Sequence, residues 1–442
     1  MSYLKYRVPK LREELGALGI GLSAGLAAVA FHWLLEVVDE ARMHISYAVI
    51  NLDFFSNLMV MVLFGLLSAS SVALVRYCAP EAEGSGIAAV VKAHRSVAPV
   101  RAFRIIWVKF VGGVLAMAAG MPLGREGPSV QIGAMSGVCL KRLFPAEYYR
   151  TRAIHLGAAA GLSAAFNAPL TGLLFSFELL HQPFTRRNCY ETLMVCAVAD
   201  WVCRLFNGPN LEMPIQTFVT DSLSELPVFI LVGFWAGLIG LIFQILLLRS
   251  YKKFHQVASS SRVAVGLTFI WGCALGAIML SAPEMLGVGQ PLFREAIANR
   301  MSLTTALVAL MIRIPLTAIS YSTGAPGGLI VPALLFGTLA GQSFSLATIG
   351  LVGTMPPDFH NLCLVAGMAA SLGALFRTPL TATIMAVEIT GTFTCILQIS
   401  IAYLAAHTLL TAVKQPDIYE AIGTLHQKEL HGSQAGRRRE SE

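Results

Sequence analysis

Charge is what this sequence has least of. Only 13% of its 442 residues are Asp, Glu, Lys or Arg, against roughly a quarter in a soluble globular chain. With 55% hydrophobic residues and a mean hydropathy of +0.67, that shortage excludes an ordinary soluble domain. It points to a polytopic membrane protein. Paired cysteine motifs are also lacking. Cys78, Cys139, Cys189, Cys196, Cys203, Cys273, Cys363 and Cys395 stand mostly in apolar surroundings, and no two form a C-x-x-C. They read as small packing residues, so neither a bound metal nor a disulfide framework is expected. There is no P-loop and no cluster with metal-ligand spacing, so no cofactor is expected. The basic, amphipathic start MSYLKYRVPKLREE lacks the short apolar core and small-residue cleavage site of a signal peptide.

The charges that remain are sorted by position. A net charge of +7 could suggest nucleic acid, but its distribution follows membrane topology and no nucleic-acid partner is expected. Lys5, Arg7, Lys10 and Arg12 mark a cytoplasmic N-terminus. Arg249, Lys252, Lys253 and Arg262 mark one inner loop, and Arg437, Arg438 and Arg439 mark the tail. The loop 207–225 holds Glu212, Asp221 and Glu225 with no Lys or Arg, so it is expected to face outside. Apolar stretches of bilayer length fall near 15–38, 57–75, 105–123, 189–206, 226–248, 263–282, 303–321 and 393–413. The zones 153–180 and 360–390 are apolar but interrupted by Gly and Pro. Such breaks survive at membrane depth only when buried in protein or lining a cavity.

The chain repeats itself. GREGPSVQIG at 124–133 aligns with GLIVPALLFG at 328–337, matching Gly124, Pro128 and Gly133 to Gly328, Pro332 and Gly337, and Lys109 to Arg313. Downstream, 157–179 matches 367–389, with Phe166/Phe376, Pro169/Pro379, Leu170/Leu380, Thr171/Thr381 and Glu178/Glu388 in register. With an outside connector and both termini inside, each half crosses the bilayer an odd net number of times. The halves are therefore inverted, as in transporters whose site lies at the repeat interface. The expected divisions are a cytoplasmic N-terminal segment (1–14), a first membrane repeat (15–206), an extracytoplasmic connecting loop (207–225), a second membrane repeat (226–413), and a C-terminal segment ending in a disordered basic tail (414–442).

Three glycine-rich breaks precede apolar runs: EGSGIAA (83–89), GREGPSV (124–130) and GAPGGLIVPA (324–333). Pro128 and Pro332 suit a first helical turn, and Gly permits close backbone approach. The consequence is a set of helix N-termini inside the membrane, each with unpaired N–H groups and a partial positive charge. Such ends bind anions weakly enough for conduction. Ser85 adds a hydroxyl donor. The alternative, that the small residues only let helices pack closely, leaves the acid Glu126 unexplained.

GSGI at 84–87, GREGP at 124–128 and GGLIVP at 327–332 resemble the three anion-site signatures of the CLC family of chloride channels and proton/chloride exchangers. PDIYEAI at 416–422 resembles the family's fourth element, and the order and spacing match across nearly the whole chain. The resemblance implies an all-α polytopic fold of two inverted repeats of broken, tilted helices, about eighteen per subunit. It implies a homodimer in the lipid bilayer with one pathway per subunit, in a bacterial inner membrane, carrying chloride or similar small anions and, in exchangers, protons. Ser85 and Tyr419 would place hydroxyls on the central anion, in the loop with Gly86 and Ile87, and the backbone N–H groups around Leu329 and Ile330 would complete the site. Glu126 would be the gate, its carboxylate occupying the outer anion site until protonated or displaced. Arg125 would orient the loop and make the outer vestibule positive.

Three positions depart from the family pattern. Ala88 replaces a usual Pro after GSGI, while Ser85, the residue that goes with chloride preference, is kept. Leu329, Ile330 and Val331 are a mild variation. The third departure is chemical: where many bacterial exchangers carry an internal proton-transfer Glu, this chain has Leu179 directly after Glu178. Leucine carries no proton, and family channels tend to be apolar there. The sequence therefore favours a chloride channel gated by Glu126, with a proton-coupled exchanger using a different inner proton path as the alternative. Glu178 could serve that path, although a structural role for Glu178 and Glu388, bonding nearby N–H groups, is the favoured reading. His155 and His181 are weaker relay candidates. An enzyme is not expected: Ser85, Ser163 and His155 lack the spacing of a serine hydrolase.

Overall fold

Among the described residues two sets of eight helices follow one another, the second repeating the order of the first, and a short helix at 418–425, which carries Tyr419, comes after them. The computed structural model describes residues 11–49, 53–95, 100–140, 149–209, 211–215, 226–356 and 358–425. Lys5, Arg7, Lys10, Asp221, Glu225, Arg437, Arg438 and Arg439 lie outside them. The first set is α1 (Leu11–Val49), α2 (Phe54–Ala73), α3 (Ile87–Arg95), α4 (Ala102–Ala118), α5 (Glu126–Cys139), α6 (Tyr149–Phe166), α7 (Pro169–Glu178) and α8 (Arg186–Asn207). The second is α9 (Leu226–Val257), α10 (Ser261–Ser281), α11 (Gln290–Ile297), α12 (Leu303–Ser322), α13 (Ile330–Val352), α14 (Phe359–Phe376), α15 (Pro379–Thr390) and α16 (Ile396–Ala412). Among the described residues there is no strand, only one isolated antiparallel bridge, Gly124 to Gly328. The all-helical, repeated architecture expected from the sequence is present.

Among the described residues eight helices are long and apolar enough to cross a membrane. They are not the eight stretches expected. The stretches 105–123 and 189–206 form α4 and α8, but α4 has only 17 residues, short for a bilayer, and α8 carries Glu191, Asp200 and Arg204. In their place stand α13 and α14. The most apolar windows of these two helices are 83% and 94% buried in protein, against 39% and 33% for those of α2 and α10. Helices α13 and α14 therefore lie at the protein-buried centre, while α2 and α10 expose most of their apolar surface.

The predicted breaks fall where the backbone must turn. Asn167 at φ 52° separates α6 from Pro169, and Arg377 at φ 55° separates α14 from Pro379. Each proline opens its helix, where its missing N–H costs nothing. Glycine sets the central packing distance. A Cβ on Gly133 would strike the Gly157 carbonyl, and a Cβ on Gly337 would strike that of Gly367. Thus α5 crosses α6 as α13 crosses α14, backbone against backbone.

Candidate functional site

The helices that begin at equivalent positions of the two repeats meet head to head. Gly124 donates its N–H to the Gly328 carbonyl at 2.9 Å, and Gly328 returns the bond at 2.7 Å. Immediately after each glycine pair a helix starts, α5 at Glu126 and α13 at Ile330. Their first-turn N–H groups lack helical partners, and both ends carry partial positive charge. Into this junction points the carboxylate of Glu126, fully buried, whose Oε1 accepts the Ile330 N–H at 2.7 Å. A Cβ on either Gly124 or Gly328 would collide with that carboxylate, so both glycines are needed to admit it. The carboxyl group of GREGP is thus seated on a helix N-terminus, a place that also suits an inorganic anion.

Arg125 turns the other way. Its guanidinium pairs with Glu212 at 2.6 Å and stands 3.1 Å from His32. Glu212 belongs to a short strap, 211–215, fastened across the end of α15 by Met213 N–H to Ile389 O (3.0 Å) and Ile215 N–H to Thr390 O (3.1 Å). Arg125 ties the start of α5 to the 211–215 strap. It does not give a free positive field, because Glu212 balances it.

The Ser85 loop closes the site from the side. Gly84 and Gly86 adopt φ of 59° and 77°, which lets Ser85 stand between two backbone reversals. Its Oγ accepts the Ile87 N–H at 3.2 Å, at the start of α3, and its N–H donates to the Tyr321 hydroxyl at 3.4 Å. Fully buried Lys109 clamps the loop by donating to the carbonyls of Ala82 (3.0 Å) and Gly84 (2.5 Å). Tyr419, its ring centroid 5.0 Å from that of Phe376, turns its hydroxyl toward Ser85, Tyr321 and Glu126. That buried hydroxyl lies beside the Ser85 side chain, and two buried hydroxyls side by side suit an anion. Ser85, Tyr419, Glu126, Leu329 and Ile330 therefore converge on one place, as do Gly86 and Ile87 through the loop and the start of α3.

Sequence reasoning missed part of this constellation. PEAEGSG at 80–86 is repeated as PEMLGVG at 283–289, a P-E-x-x-G-x-G signal that was legible. The second copy folds the same way: Gly287 and Gly289 have φ of 64° and 91°, and buried Arg313 donates to the carbonyls of Met285 (3.0 Å) and Gly287 (2.9 Å). Tyr321, which has no motif of its own, was not legible.

Glu178 and Glu388 perform a reciprocal task. Glu178 accepts the N–H groups of Leu380 (2.8 Å) and Thr381 (2.7 Å) and the Thr381 hydroxyl (2.6 Å). Glu388 accepts those of Leu170 (3.0 Å) and Thr171 (2.7 Å) and the Thr171 hydroxyl (2.6 Å). Each acid caps the helix of the opposite repeat. Leu179, at the end of α7, packs against the core. The hydrolase constellation does not assemble: Ser163 Oγ bonds the Cys196 carbonyl at 2.9 Å and His155 faces Thr192 at 3.5 Å. Among the described residues there is no group of three or more His, Cys, Asp or Glu that could hold a metal ion.

Comparison with known proteins agrees with this geometry. Residues 64–411 match the family model described as voltage gated chloride channel. The H(+)/Cl(-) exchange transporter ClcA of Salmonella arizonae is 34% identical over 417 residues, spanning 91% of this chain and 86% of that protein. ClcA of Salmonella paratyphi B is 35% identical over 422 residues, with the same coverage. Among solved structures, a slow cyanobacterial Cl−/H+ antiporter superposes with a TM-score of 0.88 at 25% identity, covering 96% of this chain and 99% of that one. A CLC-type fluoride/proton antiporter shares the fold, with a TM-score of 0.74 at 20% identity and coverage of 89% and 95%. The relatives are named exchangers, which favours exchange over the channel reading that Leu179 suggested. With two inverted sets of broken helices and an acid seated on the Ile330 N–H, this chain is a member of the CLC family of chloride transport proteins.

Proposed function

We infer that the protein is a proton-coupled chloride exchanger in which Glu126 is both gate and proton carrier. It works as a multi-pass protein of a bacterial inner membrane, with both termini cytoplasmic, the 207–225 connector outside, and two subunits each holding a pathway. One observation carries the reading: the Glu126 carboxylate lies on the N-terminus of α13, 2.7 Å from the Ile330 N–H. Ionised, it fills an anion position. Protonated, it gives up most of its attraction to the partial positive charge there, and chloride takes its place. Cycling of one carboxylate between these states links a proton to anion movement. Ser85, Tyr419 and the backbone around Leu329 and Ile330 hold the central anion by dipoles alone, so it is bound and released without trapping.

A passive channel is the second reading, and Leu179 favours it, because an apolar residue stands where many exchangers have an acid. The two differ in a direct measurement. In liposomes under a chloride gradient, an exchanger reverses at a potential displaced by an imposed pH gradient. A channel reverses at the chloride equilibrium potential whatever the pH gradient. In Glu126→Gln the exchanger is expected to lose its proton movement while chloride flux continues. Proton movement unchanged in that variant would remove Glu126 from the mechanism.

A further inference from the structure

The exchange reading leaves a gap: a proton must reach Glu126 from the side opposite the connector, and position 179 carries no acid. Glu178 is held by three donors of the other repeat. A different acid stands at the site. Glu83 directly precedes Gly84 and Ser85, and its carboxylate lies against Gly324, whose φ of 83° opens the loop that leads to Gly328 and Ile330. Lys109 bonds the carbonyls on either side of it, at Ala82 and Gly84. Among the described groups that face Glu83 are Arg76 on the turn after α2 (3.8 Å), His255 on α9 (3.4 Å), Lys109 on α4 and Tyr321 on α12. Tyr321 in turn receives the Ser85 N–H.

The geometry around His255 calls for a proton. Its Nδ1 is 3.0 Å from the Tyr251 carbonyl, an oxygen that only accepts, so Nδ1 carries hydrogen. In neutral imidazole Nε2 is then an acceptor, and it faces Glu83 Oε1 at 3.4 Å. Two acceptors do not attract, so a proton shared between this pair stabilises the arrangement. The side chains are 16% and 10% exposed, neither sealed in the core nor open to water. Their place is at the far end of α9. That helix has 32 residues, about 48 Å at 1.5 Å per residue, and it starts at Leu226, next to the connector. Arg125, the neighbour of Glu126, is tied to Glu212 of that connector. Glu83 is thus tied to the end of α9 away from the connector, and Arg125 to the connector itself.

The repeat supplies an internal control. The position equivalent to Glu83 is Leu286, fully buried, in a loop of the same shape clamped by Arg313 in place of Lys109. The fold therefore needs no acid there. An acid that the architecture does not require, next to an anion site within the membrane region, is a functional candidate.

We propose that Glu83, with His255 beside it, is the inner proton acceptor of the exchanger and does the work of the acid missing at position 179. The proton passes from the inner solution to the His255/Glu83 pair and is released from Glu83 Oε1 toward the anion pathway and Glu126. No bond other than O–H and N–H forms or breaks.

This rests on the exchange reading, and the test separates the two. Wild type, Glu83→Gln, Glu83→Asp and Glu83→Leu are reconstituted into liposomes, and chloride and proton fluxes under a chloride gradient are recorded separately. Wild type is expected to move both ions. Glu83→Gln and Glu83→Leu are expected to keep chloride flux and lose proton flux by at least about tenfold, the lower end of what a positioned proton-transfer group supplies. Glu83→Asp restores coupling in part. Wild type that moves chloride without protons overturns the exchange reading and this assignment with it. Wild-type exchange that persists in Glu83→Gln within about twofold, well below the contribution of a positioned proton-transfer group, overturns this assignment alone. Equal loss of both fluxes in Glu83→Gln and Glu83→Leu also overturns it, because that outcome makes the residue structural.

Discussion

The two repeats share a backbone plan and differ in their chemistry. Both open a P-E-x-x-G-x-G loop, both clamp it with a buried cation, and both start a helix after the Gly124 and Gly328 pair. At the matched positions the first repeat has Glu83, Ser85 and Glu126, and the second has Leu286, Val288 and Ile330. The shared residues are therefore what the fold requires. The unshared polar ones are those that the proposed mechanism assigns to transport. Glu178 and Glu388 belong to the shared set, which argues that Glu178 is structural despite its position inside the membrane region.

Substitutions can test this division. The largest effect is expected at the clamps. Lys109→Met and Arg313→Met each remove a buried donor group and strand two carbonyls, at a cost of about 1–3 kcal/mol for each carbonyl. Thermal melts in detergent should show comparable losses. A loss for Lys109 alone would mean that its role goes beyond holding a loop. Next come Glu178→Gln and Glu388→Gln, each weakening charge-assisted bonds by about 1.5–3 kcal/mol. Both should melt earlier by similar amounts and keep the proton-to-chloride ratio of wild type. A changed ratio in Glu178→Gln only would give that acid a place in the proton path. Ser85→Val copies Val288 into the first repeat. Loss of one hydroxyl donor, about 1–1.5 kcal/mol, should weaken chloride binding roughly tenfold by calorimetry, with little change in melting.

The smallest effect concerns the segment that brings Tyr419 to the site. Asp417 Oδ1 accepts the N–H groups of Tyr419 (2.7 Å) and Glu420 (3.0 Å). Burial raises its carboxyl from 3.8 to about 6, against the opposing effect of those two bonds. The folded state therefore binds the proton more tightly than the unfolded one. Its stabilisation is complete below the ordinary value and is lost as pH rises through about 6. Melts of wild type between about pH 4 and about pH 7 should fall relative to those of Asp417→Asn. Parallel curves would contradict the assignment.

Much of this was legible because the constraints are local. Gly-Pro punctuation located α5, α7, α13 and α15, and the register of the duplication paired position 126 with 330 before any contact between them was visible. Three things were not legible. The spans at α13 and α14 were underrated, because helices buried in protein carry the Ser, Thr, Gly and Gln that lower an apolar score. Tyr321 and His255 meet neighbours far away in sequence, Ser85 and Glu83, so no spacing could announce them. The reciprocal capping by Glu178 and Glu388 was anticipated only as a bond to nearby N–H groups. That each bond crosses to the other repeat follows from the packing of α7 on α15.

The bond between Glu126 and Ile330 has a mechanical consequence. The carboxylate belongs to one half of the molecule and the N–H to the other, so the substrate analogue is also a fastener. On the proposed mechanism, chloride displacing the side chain would cost the seam between the halves one stitch, with the ion taking its place. Occupancy and cohesion would then change together, and the rate at which ions are handed on would be tied to how firmly the two halves hold one another.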